Sequence, residues 1–114
     1  VTAKLLSAAP GGIVLCSVVV AELLYGAHRS AQTARNLVQV RTFCSGFASI
    51  VFDDAAAEEY GAIRAHLDRA GTPIGPNDLL ISAIARSRSL ILVTHNVAEF
   101  SRVSGLQIED WQVP

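Results

Sequence analysis

Asn77-Asp78-Leu79-Leu80-Ile81-Ser82-Ala83-Ile84-Ala85-Arg86-Ser87-Arg88-Ser89-Leu90-Ile91-Leu92-Val93-Thr94-His95-Asn96 is the stretch that decides the fold. Its first half reads as a helix, about Asp78–Arg88, opened by Asn77 or Asp78. Leu90–Val93 is then apolar at every position, the pattern of a central strand covered on both faces. Thr94-His95-Asn96 leaves that strand. A helix feeding a fully apolar strand is a unit of α/β proteins with a mostly parallel sheet.

The same alternation extends in both directions. Thr2–Ala9 reads as the tail of a helix, stopped by Pro10-Gly11-Gly12. Ile13–Cys16 suits a buried strand, Ser17 a helix N-cap, and Val18–Ala27 a helix. A second helix is predicted from Ala31 to about Cys44, with Leu37, Val40, Cys44 and Phe47 on one face. Ile50-Val51-Phe52 is strand-sized. Asp53 caps the next helix, about Asp54–Arg69, whose stripe is Ala56, Tyr60, Ile63 and Leu67 and whose end is Gly71 and Pro73. Val97–Phe100 makes one helical turn, and Leu106 and Ile108 alternate in a last strand. The expectation is an α/β sandwich, a single domain over residues 1–114.

Composition bounds the function. At 114 residues, 51% hydrophobic and 17% charged, the chain is neither disordered nor a coiled coil. A net charge of −1 gives no bulk argument for nucleic-acid binding. Cys16 and Cys44 lack a Cys-x-x-Cys, which disfavours zinc and a disulfide framework and suits the cytoplasm. No apolar run suggests a membrane span or signal peptide, and Pro10-Gly11-Gly12 lacks the spacing of a nucleotide loop.

Three polar residues sit in apolar company. Glu22 interrupts Val18-Val19-Val20-Ala21 and Leu23-Leu24; it faces water on a buried helix, or it is a metal ligand or catalytic acid. Asp78 is a helix cap, a role compatible with metal binding. Asn96 taken alone is a turn residue. His95, His28 and His66 have no partner pattern and read as surface. Together Glu22, Asp78 and Asn96 fall near strand C-termini, the edge where parallel sheets bind ligands. Asp78 joins them there only if the Thr72–Asn77 loop follows a short or absent strand. Carboxylates brought together repel, and a divalent cation relieves that repulsion and can polarise a phosphate. Phosphodiester hydrolysis is the reaction class this suggests.

Val18-Val19-Val20-Ala21-Glu22-Leu23-Leu24-Tyr25-Gly26-Ala27, Gly71-Thr72-Pro73-Ile74-Gly75-Pro76-Asn77-Asp78-Leu79-Leu80-Ile81, Leu92-Val93-Thr94-His95-Asn96-Val97-Ala98-Glu99-Phe100 and the ending Arg102–Trp111 resemble, in order and spacing, the PIN-domain toxins of the VapC type. The resemblance runs along essentially the whole chain. It implies a PIN-like three-layer α/β/α sandwich and a Mg²⁺- or Mn²⁺-dependent endoribonuclease that cuts RNA, often tRNA, to arrest translation. It further implies a cognate VapB-type antitoxin, a homodimer, and contact with DNA only through the antitoxin. By the resemblance Glu22, Asp78 and Asn96 are metal-binding and catalytic positions, and Thr94 is a supporting hydroxyl.

The family opens with a strand ending in an Asp ligand, lying mid-sheet, which this sequence does not show. The chain therefore reads as a member shortened at its N-terminus. A vacant central position would leave strand edges unpaired, so marginal stability or self-association is expected. It would also leave only Glu22 and Asp78 as charged ligands, weakening Mg²⁺ binding. The alternative to an active nuclease is an impaired remnant that only binds antitoxin; an unrelated flavodoxin-like module comes last. Arg64, Arg69, Arg86 and Arg88 are weighed as RNA contacts, but each reads better as a solvated helix face, and Tyr25 as core or dimer contact.

Overall fold

The computed structural model describes residues 5–8 and 12–111. Strand β1 (Leu5–Ala8) is followed by β2 (Gly12–Cys16), α1 (Ser17–Arg29), α2 (Thr33–Cys44), β3 (Ser49–Ile50), α3 (Asp54–Ala70), α4 (Pro76–Ser87), β4 (Ile91–Val93), α5 (Val97–Phe100) and β5 (Gln107–Glu109). The sheet order is β3-β2-β1-β4-β5. β2 pairs parallel with β3, and β4 parallel with β5, whereas β1 pairs antiparallel with both β2 and β4. Four strands therefore run one way and the middle one is reversed. This is the expected α/β class with a mostly parallel sheet.

The N-terminal segment corrects the sequence reading. Leu5–Ala8 is a strand, not the tail of a helix. Leu6 stands opposite Val14 on one side and Leu92 on the other. The middle of the sheet, expected to be vacant, is thus occupied, and the inner edges of β2 and β4 are paired. That removes the physical reason given for self-association through those edges. Local propensity is a weak prior here: Leu5-Leu6 serves a helix or a strand equally, and the two flanking ladders decide.

Other boundaries differ by small, interpretable amounts. Cys16, not Ser17, is the N-cap of α1; the Ser17 hydroxyl instead donates to the Ile50 carbonyl at 3.4 Å. β3 stops at Ile50, leaving Val51 and Phe52 exposed. Asp53 caps α3 as expected, its carboxylate accepting from the Ala56 N–H at 3.0 Å. Leu37, Val40 and Cys44 are half-buried positions of α2, and Phe47, also half-buried, lies just beyond its end; no residue of that helix is fully buried.

The core sits around α4. Ile81, Ile84 and Ala85 join Cys16, Val19, Leu90, Leu92 and Phe100 in one apolar cluster. Leu79 and Ala83 join Ile63, Leu67 and Val103 in a second. Helix α4 is thus buried on two sides, against the sheet and against α3.

Helices α3 and α4 end in the same hydrogen-bond pattern. After α3, the Gly71 N–H donates to Asp68 O and the Thr72 N–H to Leu67 O. After α4, the Ser89 N–H donates to Arg86 O and the Leu90 N–H to Ala85 O. This Schellman pattern needs a left-handed residue just past the helix. Gly71 supplies it at φ 71°, whereas Ser89 adopts φ 53° with a side chain in place. Ser89→Gly should therefore raise the stability of the chain by up to about 1 kcal/mol, strain relief being partly offset by the freer unfolded glycine. Urea unfolding measures it, and an unchanged or lower midpoint would contradict the strain argument.

Candidate active site

The site lies at the C-terminal edge shared by β2 and β4. Helix α1 leaves β2 directly and carries Glu22 in its second turn, half-buried. Thr94 and Asn96 follow β4. No strand intervenes between α3 and α4, and the loop ending at Gly75 leads straight into α4. Pro76 occupies the first turn, where its missing N–H costs nothing. Asp78 therefore sits inside the first turn of α4 and not at its cap, which is Gly75. It is 7% exposed. A helix N-terminus favours an anion there.

What the buried Asp78 meets is Glu99. The two carboxyl groups share a hydrogen bond, and this is the largest influence on Glu99, holding its carboxyl above the usual glutamate range. Loss of solvent and repulsion from Asp78 push the same way; the Gly75 N–H and the Arg102 charge oppose them. Glu99 also ties two loops together. Its Oε1 accepts from the Gly75 N–H at 3.3 Å, and its Oε2 from Asn96 Nδ2 at 3.2 Å. The Asn96 N–H donates to Thr94 Oγ1 at 3.0 Å, which pins the turn on a hydroxyl only 3% exposed. The Asn96 amide oxygen is not engaged by the Glu99 contact. Arg102 Nη1 donates to the Pro73 carbonyl at 2.9 Å, bracing the loop from the far side.

Glu22 is joined to this group through Asn77, whose Nδ2 donates to Glu22 Oε2 at 3.4 Å. Asp78, Asn96 and Thr94 are thus brought into one bonded group, with Glu22 at its margin. Among the described residues no three Asp, Glu, His or Cys side chains converge closely enough to hold a metal ion. The donors that do converge are all oxygen, the set that hard divalent cations take. Beside Asp78, the Glu99 carboxyl holds its proton more tightly than usual. A divalent cation is the other way to relieve the same repulsion, so the residues fit such an ion in kind.

Glu99 was not singled out in the sequence. Its signal was the spacing Asn96-x-x-Glu99, which sets Glu99 one turn beyond the N-cap of α5 and within reach of it. His95, read as loop surface, has a partner: its Nδ1 lies 3.1 Å from Asp110 Oδ2. Arg86 and Arg88, on the helix of Asp78, are held in ion pairs with Glu59 and Asp53. They brace α4 on α3 and are not turned to the acidic group.

With this geometry in hand, comparison with known proteins is informative. The PIN domain family profile matches residues 1–106. A tRNA(fMet)-specific endonuclease VapC of Shigella flexneri is 48% identical over 101 residues, covering 89% of this chain and 76% of that protein. A ribonuclease VapC2 of Haemophilus influenzae is 41% identical over the same shares. Among solved structures, DNA-bound VapBC from Salmonella typhimurium superposes with a TM-score of 0.82 at 46% identity, covering 84% of this chain and 73% of that one. VapBC2 from Rickettsia felis, bound to a promoter DNA fragment, gives 0.83 at 37% identity, over 86% and 74%. An acidic group gathered at the strand C-termini and matches along nearly the full chain lead to one assignment: the chain belongs to the PIN-domain family, in its VapC branch.

Proposed function

We propose that this chain is the endoribonuclease of a toxin–antitoxin pair, hydrolysing phosphodiester bonds in RNA, tRNA first, and so arresting translation. The observation that carries the reading is the Asp78–Glu99 carboxyl pair, bonded to Asn96 and flanked by Glu22. The relatives named as VapC endonucleases support it, as do the VapBC complexes among the structural neighbours. On this reading a VapB-type antitoxin is the protein partner, the chain works as a homodimer in the cytoplasm, and DNA is reached only through the antitoxin. No helix among the described residues is long and apolar enough to cross a membrane.

Mg²⁺ or Mn²⁺ is the cofactor proposed, to be held by Asp78, Glu99 and the amide oxygen of Asn96, with Glu22 linked to the group through Asn77. When bound, such an ion supplies polarisation of the phosphate and a water of lowered pKa. The protein's own contribution is placement. Burial of α4 fixes Asp78, Thr94 fixes the Asn96 turn, and Asn77 orients Glu22. Glu99 holds the Gly75 and Asn96 loops at a set separation.

Two outcomes are expected. Purified chain should cut a labelled tRNA pool only with Mg²⁺ or Mn²⁺, and Asp78→Asn should lower the rate by at least about a hundredfold, as removal of a preorganised charge does. A folded wild-type chain that cuts no RNA in either metal overturns the reading. The second outcome concerns pH. Because Glu99 binds its proton more tightly folded than unfolded, its stabilising contribution is complete below the ordinary glutamate pKa. That contribution is lost as pH rises through the elevated folded value. Metal-free wild type should therefore lose stability relative to Glu99→Gln across that window. Urea midpoints at a series of pH values test this, and parallel curves would mean that the two carboxyls do not share a proton.

A further inference from the structure

Tyr25, read from the sequence as core or dimer contact, shares a face of α1 with Glu22, Gly26 and Arg29. At 3.6 residues per turn, positions 22, 25, 26 and 29 fall within an arc of about 100°, and Glu22 and Arg29 lie about 10 Å apart along the axis.

Each has a feature that packing within the chain does not explain. Glycine weakens a helix interior relative to alanine. Gly26 is exposed, with ordinary helical backbone, and a Cβ there would meet nothing within 4 Å. The fold does not need that bare backbone. Tyr25 is 61% exposed, so burial does not account for its ring. The ring is nonetheless fixed: the Arg29 guanidinium lies 5.7 Å from its centroid, and Arg29 Nη1 donates to its hydroxyl at 3.3 Å. Arg29 suits the last turn of a helix, but that position does not call for a ring beneath it. Among the described residues it makes no ion pair, unlike Arg86 and Arg88. The similar pair of Arg64 over Tyr60 differs, because Tyr60 is half-buried and packs edge-on against Phe52.

We infer that this face of α1 carries the RNA strand away from the acidic group: Tyr25 stacks on a base, Arg29 takes a phosphate, and bare Gly26 lets the sugar–phosphate backbone lie against the helix. The inference rests on the nuclease reading above and names its substrate track. An aromatic ring plus a guanidinium is the pairing that holds single-stranded nucleic acid without reading its sequence. A net charge of −1 gives no general attraction to RNA, so the strand needs a local counter-charge, and Arg29, on the helix face of Glu22, offers one.

The test uses the full chain carrying Asp78→Asn, so that labelled bulk tRNA is bound and not cut. Into it go Tyr25→Ala, Arg29→Ala and Gly26→Ala separately, and filter binding is read at several salt concentrations. Tyr25→Ala and Arg29→Ala should each weaken binding at least about fivefold. Arg29→Ala should also flatten the dependence on salt by about one phosphate contact. Gly26→Ala is the decisive variant: it should raise the melting temperature while weakening RNA binding, a pair of effects that damage to the fold does not produce. Parental binding in all three variants overturns the inference alone. So does loss of binding to a co-expressed antitoxin with RNA binding intact, which would assign the face to a protein partner. No tRNA binding by the parent, together with no cutting by the unsubstituted chain, overturns the nuclease reading and this inference with it.

Discussion

The packing of α4 is the constraint on which the rest depends. Seven of its twelve residues are buried, from Asp78 to Ala85. Leu79, Ile81 and Ile84 each contribute about 1.5–3 kcal/mol by leaving water. Asp78 is carried inward by the same packing, because it shares the helix with side chains that the two clusters will not release. A carboxylate placed by a whole helix cannot swing away from its neighbour. Its proximity to Glu99 is therefore imposed on the site. The consequence falls on Glu99, whose carboxyl is held above the usual glutamate range by its contact with Asp78 and by loss of solvent.

Chain direction explains why residues so far apart in sequence meet. β2 and β4 point the same way, so α1 and the Thr94–Asn96 turn leave the sheet at one edge. The reversed β1 between them joins their ladders without adding a C-terminal loop to that edge. It separates the exits of β2 and β4 by one strand and so opens the space into which α4 directs Asp78. Asn77 and Glu99 then close the gap from either side, one to Glu22 and the other to Gly75 and Asn96.

Much of this was legible in the sequence, for reasons that can be named. Leu90–Val93 had no polar residue, and only a strand covered on both faces tolerates that. Asp53 and Gly71 declared the two ends of α3 through chemistry that few other residues supply. Ser89 occupies the same structural position as Gly71 but gives no such signal, since serine is rarely left-handed. Leu5–Ala8 was misread because four residues carry no period, and the two neighbouring ladders that settle it are distant in sequence. Glu22, Asp78 and Asn96 stood out as polar residues in apolar surroundings. Glu99 did not, lying in a polar turn where a glutamate is ordinary. Its one-turn spacing from Asn96 is a local signal, but its contact with Asp78, 21 residues away in the chain, has none.

The site is thus assembled from elements of unequal firmness, and this bears on how it works. Helix α4 and β4 are buried through most of their length, whereas α2 has no fully buried residue and α1 has only Val19 and Ala27. Local opening costs least where little apolar surface is buried, so α2 has more freedom to adjust than α4. On the proposed reading, a metal-assisted displacement would require its ligands held within a fraction of an ångström, while a structured RNA would require a surface that conforms to it. Acids on α4 and the strand ends, with the open aromatic and cationic face on α1, would meet both demands. Glu22 stands at the junction. It meets Asn77 of α4 at 3.4 Å and is rooted in α1, so on the proposed reading a strand seated along α1 would bear directly on the position of an acid.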